Sequence, residues 1–406
     1  MVFRAGSGTR GRWIYLIILM CPAYTEAVQY SITSNVDTRL EYNDNIFLTP
    51  REHDSVFGLV VTPSARMIAK EANWETYLNA RLRSNNYSDH GINGNDIYLD
   101  ASGNYQKERD IFTLTASYVK DSNLNPQSSD FGLTAQRVNS RTWSITPQYT
   151  RLLTQRLYFS ASYSHTDVEY ENAANTGYVP YDLDTLSGSF AYNLTERDKL
   201  NFILQASHYN SKDNALEYQL YIPRFGVEHQ ISELWKADFS IGGSRRNSTS
   251  RITQTFDFFG QPITQTQEID FSNKGYVFDA GIEKKHETGS ISARASRNNV
   301  ANSYGGLNNV DTLQLSFKDS ITELWRYTVN TRYENIQAVS GVQRSTNREI
   351  FLFQPVLYYA IDRNWTANAS YRYIQQKYTN DVSNSAPHSN QIYIGITYNF
   401  PEISTF

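Results

Sequence analysis

The sequence predicts an all-β fold, a transmembrane antiparallel up-and-down β-barrel of about 18 strands, with 16 as the next count. Three observations carry this. Apolar residues alternate with period two in segment after segment, no segment sustains a 3.6-residue period, and the joints alternate between short corners and long polar loops. Composition agrees: 14% of the 406 residues are aromatic, 30 of them Tyr, and Ser, Thr, Asn and Gln are abundant. Such residues disfavour helix and suit strands with one wet face.

Residues 1–27 read as a cleaved secretory signal peptide. Arg4, Arg10 and Arg12 give a positive start, Trp13 to Met20 an apolar core, and Thr25-Glu26-Ala27 a small-residue cleavage site. The apolar run is shorter than the roughly 20 residues of a spanning helix. Cys21, the only cysteine, falls within this leader, so the mature chain 28–406 has no disulfide or thiolate metal site. Cleavage removes three Arg and one Glu and takes the formal charge from −4 to −6, which argues against a nucleic-acid partner.

Along the mature chain the first strand sets Tyr30, Ile32, Val36, Leu40 and Tyr42 on one face. Further on, Trp235, Ala237, Phe239 and Ile241 repeat the pattern, as do Trp325, Tyr327, Val329 and Tyr333. The last strand carries Ile392, Ile394, Ile396, Tyr398 and Phe400. One apolar and one polar face fit either a soluble sandwich or a membrane barrel whose apolar face meets lipid.

The joints separate the two. Short corners fall near Lys70–Asn73, Lys107–Arg109, Leu152–Gln155, Thr195–Arg197, Gln230–Glu233, Lys284–Thr288, Asp319–Glu323 and Ile361–Asn364. Long loops fall near Asn43–Asp54, Asn86–Asn95, Asp121–Ser140, Glu169–Tyr181, Asn247–Asp270, Asn298–Gly306, Ile336–Asn347 and Lys377–His388. Tight turns on one side and long loops on the other are the pattern of periplasmic turns and extracellular loops. Trp74, Trp235, Trp325 and Trp365 each follow a short corner, and Trp143 opens a strand after a long loop. These five form the expected aromatic girdles, because an indole wants its ring in the apolar region and its N–H near water. Pro63, Pro147, Pro223 and Pro355 sit five to seven residues before a short turn, which predicts a bulge at one level of the wall. Gly395, Tyr398 and Phe400 match a terminal strand read by barrel-assembly machinery, apart from the six-residue tail PEISTF.

The stretch EYNDNIFLT (Glu41 to Thr49) resembles a family of outer-membrane, porin-like β-barrels associated with exopolysaccharide biosynthesis and export loci in Gram-negative bacteria. Its motif maps onto Tyr42, Asp44, Asn45, Ile46 and Phe47, and ITPQYTRLL, FQPVLYYAI and NSYGGLNNVDTLQLS are similar to the same family. The resemblance covers the mature chain. It implies an outer-membrane location and a role in glycan export, and supplies no catalytic residue.

No chemistry stands out beside it. The seven histidines, His53, His90, His165, His208, His229, His286 and His388, have no metal-ligand spacing. Ser164-His165 and Ser207-His208 are strand neighbours that point to opposite faces, so neither pair is a nucleophile and base. Asp89 to Asp100 has calcium-loop composition without the terminal Glu, which reads better as a surface loop. No enzyme activity, cofactor or metal is expected.

The polar face is more informative. It includes Ser160, Ser162, Ser187, Ser189, Asn193, Gln205, Ser207, Thr328, Asn330, Asn368 and Ser370. Its basic positions are Arg66, Arg81, Arg83, Arg224, Lys236, Arg246, Arg294, Arg326, Arg332 and Arg372, against the acids Asp100, Glu228, Asp238, Asp279, Glu283 and Glu334. A basic lumen favours anions, and hydroxyl-rich, Tyr-rich walls suit sugars; alternatively the charges pair across the lumen and only fill it. The expected function is a glycan conduit in exopolysaccharide export. The alternatives are a general or anion-preferring diffusion porin and a non-conducting surface or scaffold barrel, its lumen plugged by Asn247–Asp270. Expected partners are outer-membrane lipid, the assembly machinery, a polysaccharide or small anionic solute, and a periplasmic export partner.

Overall fold

Lipid offers the backbone no hydrogen bonds, so strands that cross it must close into a ring. The computed structural model describes residues 28–50, 55–124, 137–171, 176–258, 261–304, 306–339, 347–378 and 386–405, with side chains omitted for 252–264. The leader residues 1–27, with Cys21, lie outside these, as do the centres of several long loops and His53.

The chain forms β1 (Gln29–Asn43), β2 (Val56–Glu71), β3 (Trp74–Tyr87), β4 (Gly94–Lys107), β5 (Asp110–Ser122) and β6 (Asn139–Leu152). It continues with β7 (Leu157–Glu171), β8 (Tyr181–Asn193), β9 (Asp198–Ser211), β10 (Leu216–Gln230), β11 (Trp235–Phe258) and β12 (Gln261–His286). Then come β13 (Gly289–Asn302), β14 (Gly306–Ser320), β15 (Trp325–Ala338), β16 (Arg348–Ala360), β17 (Trp365–Tyr378), β18 (His388–Asn399) and a short β19 (Ile403–Thr405). Each strand pairs antiparallel with its sequence neighbours, and β1 pairs with β18 from Asn35↔Asn399 to Asn43↔Gln391, which closes an 18-strand barrel. A 14-residue strand such as β3, at about 3.4 Å per residue and a tilt near 40°, rises roughly 36 Å and spans an apolar band of about 25 Å.

One face of every strand is apolar and open. Leu40 and Ile394 are each 67% exposed, Phe57 63% and Leu186 60%, a continuous surface that water would not tolerate and lipid does. The other face is concave, because its side chains reach across an intervening strand: Tyr87 on β3 donates its hydroxyl to Glu41 on β1. The barrel is therefore a membrane barrel of the outer-membrane type, with apolar out and polar in.

The short corners close as expected. Within Leu153–Leu157, Ile321–Trp325 and Ile361–Trp365, the first residue's N–H bonds the last residue's carbonyl at 2.9 Å. The outer side departs from expectation in two places. Asn247–Asp270 is not a loop: β11 and β12 continue in register from Asn247↔Ser272 to Phe258↔Gln261, as a ribbon beyond the barrel. In addition, β9 and β10 are joined on the outer side by only Lys212–Ala215, with Asn214 in the left-handed region at φ 56. Long strand pairing replaces loop in the first case, and a residue tolerant of positive φ permits a tight turn in the second.

The prolines also differ from expectation. No extra residue is inserted at any of them, so there is no bulge. Each pairs in register with the preceding strand, as Val36↔Pro63, Leu114↔Pro147, Leu204↔Pro223 and Val329↔Pro355. Toward the following strand the ladder skips two pairs and resumes in the same register: Val61↔Ser84 then Ser64↔Arg81, and Tyr221↔Arg245 then Arg224↔Gly242. A missing N–H interrupts bonds on one side only, so the register survives. Side chains bridge two gaps: Thr146 donates to Ser164 at 2.9 Å, and Ser370 donates to the Pro355 carbonyl at 2.9 Å.

At the third gap the backbones come so close that only glycine fits. A Cβ on Gly242 would lie 2.2 Å from the Pro223 carbonyl oxygen, whereas one on Gly243 would meet nothing within 4 Å. The tail PEISTF continues the last strand: β19 pairs Ile403↔Ile32, offset by one residue from the β18 register.

Gly242→Val is expected to lower barrel stability by about 1–3 kcal/mol, the usual cost of overpacking. Gly243→Ala should leave it unchanged. Urea titration of the protein in detergent micelles, followed by heat-modifiable gel mobility, reads both; equal effects would remove the close-approach argument.

Candidate functional site

The candidate site is the lumen wall, built from the inward residue of each alternating pair. Register places all ten basic positions, Arg66, Arg81, Arg83, Arg224, Lys236, Arg246, Arg294, Arg326, Arg332 and Arg372, on this face. The six acids Asp100, Glu228, Asp238, Asp279, Glu283 and Glu334 share it. Period two fixes this for any residue once one neighbour is known to meet lipid.

The wall is not uniform. Across β9–β13 several charges pair: Glu228 takes Lys199 at 3.1 Å and Lys236 at 3.2 Å, and Arg294 bridges Asp238 at 3.0 Å and Asp279. The sector from β15 through β18 and round to β4 is different. There Arg326 lies over Tyr358 at 5.0 Å, Arg66 over Tyr77 at 5.5 Å, Arg81 over Tyr98 at 4.0 Å and Arg39 over Tyr393 at 4.9 Å. Among the described residues Arg66, Arg81 and Arg326 form no ion pair. A guanidinium on a ring face keeps its planar fork of donors free on the other side.

Exposure falls from the periplasmic end to the outer end. Arg66, Arg81, Lys236, Arg294 and Arg326 are exposed. Farther out, Tyr209 is 0% exposed, Tyr218 2%, Val277 0% and Arg246 5%. There Tyr209 and Tyr218 stack at 4.6 Å and join Val168, Tyr181, Leu220, Ile222, Val277 and Leu307 in an apolar cluster. Loops then cross the mouth. The Val179 N–H donates to the Ser303 carbonyl at 2.7 Å, joining the β7–β8 and β13–β14 connections, which stand six strands apart on the wall. The Tyr178 ring lies 5.3 Å from both Tyr170 and Tyr304, over buried Val138. Arg137 donates to the Ile92 carbonyl at 2.7 Å and to Asp96 at 2.9 Å, which ties the β5–β6 connection to β4.

The motif residues lie at the seam. Tyr42 faces out, its ring 4.9 Å from Phe57. Asp44 accepts from Asn390 N at 2.7 Å and Asn390 Nδ2 at 2.6 Å, and Asn45 Nδ2 donates to the His388 carbonyl at 3.1 Å. Ile46 and Phe47 pack against Val56, Tyr87 and Ile92. The motif thus clasps the first strand to the last at the outer rim. Gly395 serves the same seam, since a Cβ there would sit 2.8 Å from Asn368 Oδ1 and 2.9 Å from Arg39 Cβ. Tyr398 and Phe400 face out, in edge contact at 4.9 Å.

Trp74, Trp143, Trp235, Trp325 and Trp365 all have the outward register. Lys284 lies 5.2 Å from the Trp235 ring, and Trp325 and Trp365 pair with Tyr359 and Tyr398, each at 4.6 Å. Asp89, read as a surface-loop residue, caps a one-turn helix by accepting from Gly91 N at 2.8 Å.

Sequence reasoning missed Arg39, Glu41, Asp37, Tyr87, Tyr98 and Gln391. Glu41 stands at the head of the quoted motif, 3% exposed, and receives Tyr87 at 3.1 Å and Gln391 at 3.0 Å on one oxygen. Alternation alone could have placed Arg39 and Glu41 inward between the outward Leu40 and Tyr42.

Asp44→Ala should weaken the seam by about 1–3 kcal/mol, the scale for a charged hydrogen-bonded group. Thermal melting in micelles tests this, with the change Ser55→Ala at an exposed position as control; a Tm equal to wild type would remove the clasp.

No protein-family model and no curated protein matches this sequence. Solved structures of similar chain course are Pseudomonas aeruginosa OccK2 (OpdF), at 10% identity and TM-score 0.46 over 93% of this chain and 98% of that one. The ferric-catecholate import receptor Fiu of E. coli K12 is similar at 7% identity and TM-score 0.47, over 90% and 82%. Acinetobacter baumannii OccAB2 is similar at 12% identity and TM-score 0.44, over 91% and 98%. At such values the likenesses say nothing of what passes through this barrel, and the membrane assignment rests on the barrel's own surface.

Proposed function

We propose that the protein is an outer-membrane conduit for a hydrophilic, anionic glycan and takes part in exopolysaccharide export. The observation that carries this reading is the set Arg66, Arg81 and Arg326, without an ion pair among the described residues and set over Tyr rings on a hydroxyl- and amide-rich wall. Hydroxylated rings match that surface chemically, and fixed cations lower the energy of an anion in a narrow channel. Access supports the direction of traffic. The inward side chains are open toward the periplasm, and the described loops meet over the outer mouth, so a polymer would load from inside and the mouth would part to release it. The resemblance of Glu41 to Thr49 to export-associated barrels agrees.

The second reading is an anion-preferring diffusion porin, favoured by the same arginines, because any small hydrophilic anion would gain from them. A non-conducting barrel is the reading that the apolar cluster around Tyr209 and Tyr218 favours.

Deleting the gene should stop polymer secretion if the conduit reading holds; intact secretion with reduced uptake of small anions would favour the porin. In a planar bilayer across a salt gradient, Arg326→Glu with Arg332→Glu should shift the reversal potential toward cation selectivity. Unchanged selectivity would remove the basic-lumen reading. Tyr178→Ala with Tyr304→Ala should increase single-channel conductance by freeing the mouth, and a current equal to wild type would mean these loops do not obstruct it.

A further inference from the structure

A half-buried cluster of charged side chains lies beside the seam. Glu41 is enclosed, and both its oxygens are committed. Oε1 meets Arg39 Nε at 3.1 Å and Arg83 Nη2 at 3.8 Å, while Oε2 accepts from Tyr87 and Gln391. A third guanidinium, Arg372 on β17, lies within electrostatic reach of Glu41, Arg39, Arg83 and Tyr87. Yet among the described residues Arg372 has no hydrogen bond and no ion pair. The Nε atoms of Arg83 and Arg372 are shut off from solvent and also lack a hydrogen-bond partner. Asp37, 3.8 Å from Arg39, supplies a second carboxylate, itself bonded to Thr397 at 2.8 Å and Asn368 at 3.3 Å. Arg83 also feels Asp96, which Arg137 holds at 2.9 Å, so among the described residues Arg372 alone of the three guanidiniums has no carboxylate in contact.

A half-buried arginine without a partner is costly unless something pairs with it. Nothing in the fold explains the cost. Arg372 braces no strand, and β17 is already held to both neighbours by its ladder.

We propose that Arg39, Arg83 and Arg372 form a carboxylate-binding subsite on the lumen wall. It would take the monoanionic carboxylate of a uronic-acid-type sugar or a comparable hydroxylated carboxylate, and Glu41 would hold Arg39 and Arg83 in position. The planar fork of Arg372 matches a carboxylate bidentately. One unpartnered guanidinium matches a monoanion better than a dianionic phosphate. Tyr87, Gln391 and Asn368 add neutral polar groups beside it, which suits hydroxyls on the same ring. This rests on the conduit reading insofar as the subsite faces the transport path, and it names the ligand class that path would carry.

The test is isothermal titration of the full-length protein in detergent micelles with glucuronate, glucose and phosphate, followed by a short oligogalacturonate. Wild type should bind glucuronate saturably, at least about tenfold more tightly than either glucose or phosphate. Arg372→Gln should lose at least about tenfold in that affinity while melting at or above the wild-type Tm, because it removes an unpaired charge. Arg372→Lys should recover only part, lacking the fork. Binding of the oligomer more tightly than the monomer would identify a glycan as the source of the carboxylate; equal affinity would identify a small solute. Failure of wild type to bind glucuronate, or equal binding by Arg372→Gln, would overturn the subsite. Bilayer conductance separates this from the conduit reading: a barrel that conducts without binding glucuronate loses only the subsite, and one that binds without conducting loses only the conduit.

Discussion

The rest of the structure depends on the closing ladder between β1 and β18. In hydrocarbon an open sheet edge would leave a row of unpaired N–H and C=O groups, each costing several kcal/mol. Nine register pairs from Asn35↔Asn399 to Asn43↔Gln391 remove that edge. Once the ring is closed, alternation fixes the outward and inward address of every residue. Closure also brings the two chain ends together, so β1 and β17 side chains can meet beside β18. Glu41 and Arg372 become neighbours only because the ring closes.

The seam is reinforced where it ends. Asp44 and Asn45 hold Asn390 and His388 at the outer rim, and β19 extends the pairing at the periplasmic rim through Tyr30–Ile32. Pairing a first strand with a last strand closes the longest loop in the chain, at a greater entropy cost than pairing hairpin partners. The clasp gives the Tyr42–Phe47 motif a structural reason that has nothing to do with ligand.

Charge is distributed to suit two tasks. Along β9–β13 Glu228, Asp238 and Asp279 pair with Lys199, Lys236 and Arg294, which offsets part of the charge on that side. From β15 round to β4, Arg66, Arg81 and Arg326 rest on tyrosine rings with no ion pair among the described residues. In a low-dielectric enclosure such cations act over a longer range than in water. The apolar cluster on the outer half of β7–β12, with Leu307 of β14, fills the other side of the wall.

By itself the sequence determined the strand class, a count of about eighteen with sixteen left open, the short turns and the lipid face, because each follows from period two and from local turn chemistry. The outward phase of Trp74, Trp235, Trp325 and Trp365 was legible for the same reason. Tertiary structure alone decided the rest. That Asn247–Asp270 pairs as a ribbon, and that Pro63, Pro147, Pro223 and Pro355 keep register without a bulge, depends on the facing strand. Which arginines are neutralised depends on partners one or more strands away: Arg294 looks like Arg81 in sequence, yet one meets two aspartates and the other a tyrosine ring. Arg372, Arg83, Arg39 and Glu41 come from both ends of the chain, and local pattern carries no information about contacts that only the closed ring creates.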